Sequence, residues 1–228
     1  MSSEALIELC AVRSFAGAAP VSLCIGRGER VALLGRNGIG KSTLLRAIAG
    51  LARPESGSLR RPPCVGYMPQ DYRASLLPWL SVRDNVALPL RALALSTSEH
   101  DARLDEAISA VALPDSLLGQ TPQRLSGGEQ QLVALARSLA WQSQVVLFDE
   151  PLSALDVSTR ASLRLRLAAS LQARGLACVL VSHDLDDVLS LATRWVVLGG
   201  DAGEVVADQP VSMGRGALEA AVLGAKAP

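Results

Sequence analysis

The sequence carries no excess of charge of either sign: Lys+Arg and Asp+Glu both number 22 among 228 residues. A protein that grips DNA or RNA regardless of base sequence needs a basic surplus to displace phosphate counterions, so nucleic acid is not expected as a partner. No apolar run approaches the roughly eighteen residues that cross a bilayer. The longest, such as LACVLV (Leu176 to Val181), have the length of buried strands. The opening MSSEALIELC lacks a basic segment followed by a long apolar core, so no secretory signal is expected. The four cysteines (Cys10, Cys24, Cys64, Cys178) form no CxxC pair, which argues against a thiolate metal site or a disulfide framework. Their apolar or strand-like surroundings predict buried free thiols and a cytoplasmic protein. Internal repeats, low-complexity tracts and sustained heptads are also missing.

What is present is apolar substance and order. Hydrophobic residues make up 49% of the chain, enough for one large domain with a sizeable core or one domain carrying an inserted lobe. Short continuous apolar runs read as buried strands: Val31 to Leu34, Val65 to Met68, Val145 to Phe148, Leu176 to Val181 and Trp195 to Leu198. Helical spacing separates them. Leu44, Leu45, Ile48 and Ala49 follow a helix that begins near Lys41 and stops at Gly50; Thr159 to Arg174 and Leu185 to Leu191 are later helices. Between Ser75 and Trp141 the pattern is helical, with starts at Ser81 (Asp84 following) and near Glu99. This alternation predicts an α/β fold with a mostly parallel sheet, built from a core at 1–74 and 142–228, with a helical lobe inserted at about 75–141.

Three stretches carry chemistry. GRNGIGKST, Gly35 to Thr43, fits G-x-x-x-x-G-K-[ST] and falls between a strand and a helix. Its members Gly35, Arg36, Asn37, Gly38, Ile39, Gly40, Lys41, Ser42 and Thr43 are expected to bind a nucleotide. The three glycines let backbone N–H groups face a phosphate chain, Lys41 sets a positive charge against the outer phosphates, and the Ser42 hydroxyl suits Mg²⁺. In VVLFDEP a buried strand ends in Asp149-Glu150, and two adjacent carboxylates there are costly unless charge meets them. Asp149 fits a metal-side role and Glu150 a proton acceptor for attacking water; an ordinary helix-capping Asp-Glu is the plainer alternative. LSGGEQQ, Leu125 to Gln131, reads as a capping box of Ser126 and Glu129 on an amphipathic helix. Yet Gly127 and Gly128 in the first turn each cost about 1 kcal/mol relative to Ala, which makes sense where backbone closely approaches an anion.

In order and spacing these motifs resemble those of the nucleotide-binding subunits of ABC transporters over essentially the whole chain. GRNGIGKST is similar to their Walker A, VVLFDEP to Walker B and LSGGEQQ to the signature motif. Gln70 in VGYMPQ resembles the Q-loop glutamine, Ser153 to Asp156 the D-loop, and His183 in LVSHD the switch histidine. The resemblance implies a P-loop NTPase core, an N-terminal antiparallel β subdomain and an inserted helical lobe. It implies ATP and Mg²⁺ as cofactors, with Ser42, Gln70 and Asp149 on the metal side and Glu150, His183, Gln70 and Lys41 in catalysis. It further implies a head-to-tail dimer with a second copy or a homologous subunit. Each ATP would lie between one chain's Gly35 loop and the other's Ser126, Gly127 and Gly128, with Asp156 at the interface.

The partners implied are a multi-spanning permease and a solute-binding protein, and the location is the cytoplasmic face of the inner membrane, held peripherally. The motifs alone leave a soluble ABC ATPase acting on ribosomes or DNA, or the ATPase of an exporter or lipid-extraction system, as alternatives. Zero net charge and the lack of tandem cassettes disfavour the first. Two features depart from or refine the pattern. Phe15 is the only aromatic residue before the glycine loop, in a hairpin several residues shorter than usual; it either stacks on adenine or packs in the core. SLLPWLSVRDNVALPL, Ser75 to Leu90, is similar to the nitrate, sulfonate and taurine importer branch. Its Leu76, Leu77 and Trp79 would line a groove for a permease helix or pack within the lobe. With the sequence ending at Pro228, a sizeable regulatory domain is not expected.

Overall fold

The computed structural model describes residues 5–141 and 143–225. Strand β1 (Ile7–Arg13) pairs with β2 (Val21–Ile25) in antiparallel register, Ile7 opposite Ile25 and Leu9 opposite Leu23. The register shifts between Leu9 and Val12, where Ala11 takes a φ of 50°, so regular pairing ends just before Ser14 and Phe15. β3 (Arg30–Gly35) runs into the glycine loop and then helix α1 (Lys41–Ala49), which stops where Gly50 adopts a φ of 79° and its N–H returns to the Ala47 carbonyl. β4 (Ser56–Arg60) completes a three-stranded antiparallel sheet in the order β2-β1-β4.

After β5 (Gly66–Met68) come four helices, α2 (Tyr72–Ser75), α3 (Val82–Ala87), α4 (Thr97–Ala110) and α5 (Gly127–Ala140). The rest alternates: β6 (Val145–Asp149), α6 (Val157–Ala173), β7 (Ala177–Val181), α7 (Leu185–Leu191), β8 (Arg194–Gly199), then β9 (Glu204–Pro210) and α8 (Gly214–Gly224). The second sheet has six strands ordered β5-β6-β7-β3-β8-β9, parallel throughout except for β9 at its edge.

Alternation along β6 divides the interior. Val145 and Leu147 face a core shared with the antiparallel sheet and α1, through Ile7, Ile25, Leu44 and Ile48. Val146 and Phe148 face the opposite core, where Leu135 of α5 and Leu163 of α6 pack together with the helices of the 72–140 region. Helices on both faces explain why β6 and β7 are buried at every position and read as unbroken apolar runs. The carboxyl ends of β3, β6 and β7, neighbours in the sheet, bring the Gly35 loop, Asp149-Glu150 and Val181-His183 to one edge, where ligands of such sheets bind.

Two expectations change here. Cys10 and Cys24 are exposed rather than buried, because they occupy the outward-facing positions of alternating strands; Cys64 is half-buried and only Cys178 is deep. Leu76 is buried at 5% exposure, whereas Trp79 is 73% exposed, so the apolar segment splits between core and surface. Asn85, fully buried, pins that segment by donating to the carbonyls of Leu77, Leu80 and Ser81 and accepting from the Leu77 N–H.

Candidate active site

The glycine loop obeys its backbone demands. Gly35, Gly38 and Gly40 take φ values of 147°, 79° and 102°, a region L side chains avoid. A side chain at Gly40 would meet Phe15 Cε1 at 2.6 Å, and one at Gly35 would meet the Leu198 carbonyl at 2.6 Å. Lys41 folds back over the loop, its Nζ donating to the carbonyls of Gly35 (2.7 Å) and Arg36 (3.0 Å). Burial lowers its pKa, against the pull of Glu150 and Asp149.

At the tip of β6, Asp149 is 2% exposed and its Oδ1 has no hydrogen-bond partner among the described residues. Desolvation raises its pKa, with the Ser42 hydroxyl and the Lys41 charge opposing. A buried carboxylate oxygen left open beside a hydroxyl is a hard-oxygen donor set that suits Mg²⁺, which takes few protein ligands and completes its shell with water and phosphate. The described residues hold no cluster of three or more His, Cys, Asp or Glu, so a cage made wholly of protein ligands is not what they offer.

Glu150 is the strained member. It is one of three non-glycine residues with positive φ (56°) among the described residues, held there by its N–H bonding to the Val181 carbonyl at 2.9 Å. Its side chain is 12% exposed, and His183 Nε2 lies 3.3 Å from its Oε1. Burial pushes its pKa up to about 7, opposed by a hydrogen bond from the His183 backbone, reinforced by the Asp149 charge and opposed again by Lys41. A carboxyl poised near neutrality is matched to taking and releasing a proton.

These groups line one cleft of about 550 Å³, together with Phe15, Asn37, Gly38, Gly40, Thr43, Gln70 and Val181. That volume suits a small-molecule ligand. Phe15, 38% exposed, covers the Gly40 turn and is not in the core. Gln70 is exposed just past β5 and lines the cleft. Arg36 points elsewhere, pairing with Asp201 at 3.3 Å, and Ile39 is buried, so these two offer backbone rather than side chain.

Ser126, Gly127, Gly128 and Asp156 do not reach this cleft. Ser126 caps α5 in a full capping box: its Oγ accepts from Glu129 N–H at 3.3 Å, and Glu129 Oε2 accepts from Ser126 N–H at 2.7 Å. Asp156 caps α6, accepting from the Ser158 hydroxyl at 2.6 Å and from the N–H groups of Ser158 and Thr159 at 3.0 Å; the hydroxyl of Ser158 foremost, then that of Thr159, and these N–H bonds hold its carboxyl far below the usual range. Gly128 is also confined within the chain, where a side chain would crowd Leu155 at 3.2 Å and the Ala154 carbonyl at 3.4 Å; at Gly127 a side chain would meet only the movable end of the Arg73 guanidinium.

Sequence reasoning missed Gln131, Arg160 and Arg164. Gln131 is fully buried beneath Glu150; Arg160 and Arg164 of α6 pair with Asp184 beside His183, and Arg164 reaches Asp187 at 2.5 Å. Only the helical spacing of the two arginines was visible beforehand.

Residues 18–153 match the family model described as ABC transporter. Among curated proteins, the chain is 42% identical to the aliphatic sulfonates import ATP-binding protein SsuB of Ralstonia nicotianae, over 86% of this chain and 68% of the relative. It is 37% identical to the taurine import ATP-binding protein TauB of Sinorhizobium fredii (88% and 77%) and 39% identical to the Fe(3+) ions import ATP-binding protein FbpC 2 of Pectobacterium atrosepticum. In the last case it covers 85% of this chain but spans only 60% of the relative's length. A solved dimer of the ATP-binding cassette MJ0796 bound to ADP and Pi superposes with a TM-score of 0.80 at 28% identity, covering 90% of this chain and 98% of that one. The glycine loop, the acidic strand tip and the capped Ser126 helix all lie within the matched residues, and the chain belongs to the ABC transporter family.

Proposed function

We propose that the protein is an ATP-hydrolysing subunit that dimerises around two Mg–ATP and powers solute import through a partner membrane permease. The observation that carries this reading is the single cleft in which a glycine loop, Lys41, a buried open carboxylate and a near-neutral Glu150 converge. In the division we adopt, the core comprises 1–74 and 142–228 and the helical lobe about 75–141.

The triphosphate lies along the N–H groups of the Gly35 to Thr43 loop, at the start of α1, whose dipole favours negative charge there. Lys41 exchanges its loop carbonyls for the outer phosphates and keeps their charge matched as it shifts toward the leaving group. Ser42 and Asp149, with Gln70, would hold Mg²⁺, which when bound neutralises phosphate charge. Phe15 supplies a ring over the Gly40 turn on which a base stacks. Glu150 orients water and accepts its proton, while His183, within 3.3 Å of that carboxylate, faces the terminal phosphate.

Ser126, Gly127 and Gly128 stand outside their own chain's cleft, at the positive end of α5. They complete the nucleotide site of a second subunit, with Asp156 at the same interface, so each site forms only when two chains close. Relatives similar to nearly the same degree are named for unlike cargos, so cargo choice belongs to the permease and to a solute-binding protein working with it. No helix among the described residues is long and apolar enough to cross a membrane, and we place the chain peripherally on the cytoplasmic face, bound to that permease. The test is Glu150→Gln: hydrolysis is lost, and with Mg–ATP the variant runs as a dimer on a sizing column. Unchanged hydrolysis would contradict the role given to Glu150.

A further inference from the structure

The 150–155 turn, which carries Glu150 and leads to Asp156, is held by side chains from two different helices. From α6, Arg160 donates to the carbonyls of Leu152 (3.1 Å), Ser153 (3.2 Å) and Leu155 (3.2 Å) while pairing with Asp184 at 3.0 Å. From α5, Gln131 enters from below, at 0% exposure. Its Nε2 donates to the Glu150 carbonyl at 3.0 Å and to Ser153 Oγ at 3.2 Å, and its Oε1 accepts the Ala154 N–H at 2.9 Å. A buried amide with every bond directed at one turn is a device for fixing that turn. The turn needs one, because Glu150 sits in the left-handed region at a φ of 56°.

Gln131 lies one helical turn beyond Ser126, Gly127 and Gly128 on the same rigid α5. The segment that meets the partner's nucleotide and the segment that sets this chain's own Glu150 are thus joined by one side chain. We propose that Gln131 is a positioning residue for hydrolysis: it holds Glu150 in its strained conformation and transmits closure at one shared site to the Glu150 of the other. The proposal rests on the shared-site reading above.

The test uses the full chain with Gln131→Met, which keeps the volume and loses all three bonds, and Gln131→Asn, which keeps the amide one methylene short. Monomer affinity for Mg–ATP, steady-state kcat and KM, and amide exchange at Ala154 are compared with the unsubstituted protein. The expected result is a kcat lower by about tenfold or more with KM and monomer affinity within about threefold. Exchange at Ala154 accelerates by about tenfold or more in both variants. If Gln131→Met does not fold, Gln131→Asn carries the same expectation. A kcat within about twofold of the unsubstituted value despite freed exchange at Ala154 overturns the proposal, as does an equal loss of monomer ATP affinity and kcat. An unsubstituted protein that hydrolyses no ATP would bring down the functional reading, and this inference with it; a hydrolysing protein whose variants keep kcat brings down this inference alone.

Discussion

Removing the charge of Glu150 should make the nucleotide-free protein more stable, by an amount that grows with pH. The carboxyl has an ordinary value of 4.5 and is pushed up to about 7 in the fold, mainly by desolvation. With its side chain only 12% exposed, solvent screens little of that penalty. A carboxyl whose folded-state pKa lies above its unfolded value holds its proton more tightly in the fold. Its contribution to stability is therefore greatest below about 4.5 and is lost as pH rises through about 7. The full difference corresponds to about 3 kcal/mol. Glu150→Gln does not titrate and keeps a similar shape in the same backbone conformation. At pH 4.5 the two proteins should differ little, whereas at pH 8 the variant should be more stable by up to about 3 kcal/mol, or roughly 6–12 °C in Tm for a domain of this size. Urea unfolding across pH 4.5 to 8, with EDTA and no nucleotide, measures this directly. Equal stability of the two proteins at pH 8 would refute the reasoning, since the carboxylate would then not be held desolvated against its own charge.

Two further perturbations separate packing from function. Phe15→Ala should lower unfolding free energy by no more than about 2 kcal/mol, because the residue is 38% exposed, while ATP affinity measured by calorimetry falls several-fold; a larger stability loss with unchanged affinity would return Phe15 to a packing role. Arg164→Ala should destabilise the protein by about 3–5 kcal/mol at pH 7 in urea unfolding, because Asp187, 3% exposed, loses its 2.5 Å partner. Asp187→Asn in the same chain should recover most of that loss, and a failure to recover would mean that the ion pair is not what the fold depends on.

What could be read from the chain beforehand divides along physical lines. Strands buried on both faces and helices with strong periodicity declared themselves: Val145 to Phe148 lies within β6, and α7 spans Leu185–Leu191 as its spacing indicates. Caps were legible because they are local, as at Ser81 and Ser126. The Glu204–Pro210 strand gave no signal, since all seven residues are exposed or half-buried at the sheet edge and one is proline. Helical structure begins at Tyr72, ahead of the pattern near Ser75, because Asp71 caps a single short turn there. The cysteines misled because an apolar neighbourhood in sequence does not say which strand face a side chain takes. At the site, the loop glycines and acidic pair were readable as types at fixed spacing. The left-handed Glu150, the Gln131 bonds and the Arg160–Asp184 pair join segments about 20 or more residues apart, and no local pattern encodes such meetings.

The central claim is that each nucleotide site is built from two chains, and mixing two inactive variants tests it. Lys41→Ala disables a chain's own loop but leaves its Ser126 helix intact; Ser126→Arg blocks that helix but leaves the loop intact. Each alone should hydrolyse almost no ATP, and Ser126→Arg should still bind ATP as a monomer. In an equimolar mixture, the mixed dimer pairs one intact loop with one intact helix start, and ATPase activity should reappear. A mixture as inactive as its components, with mixed dimers verified by differential tagging, would contradict the account.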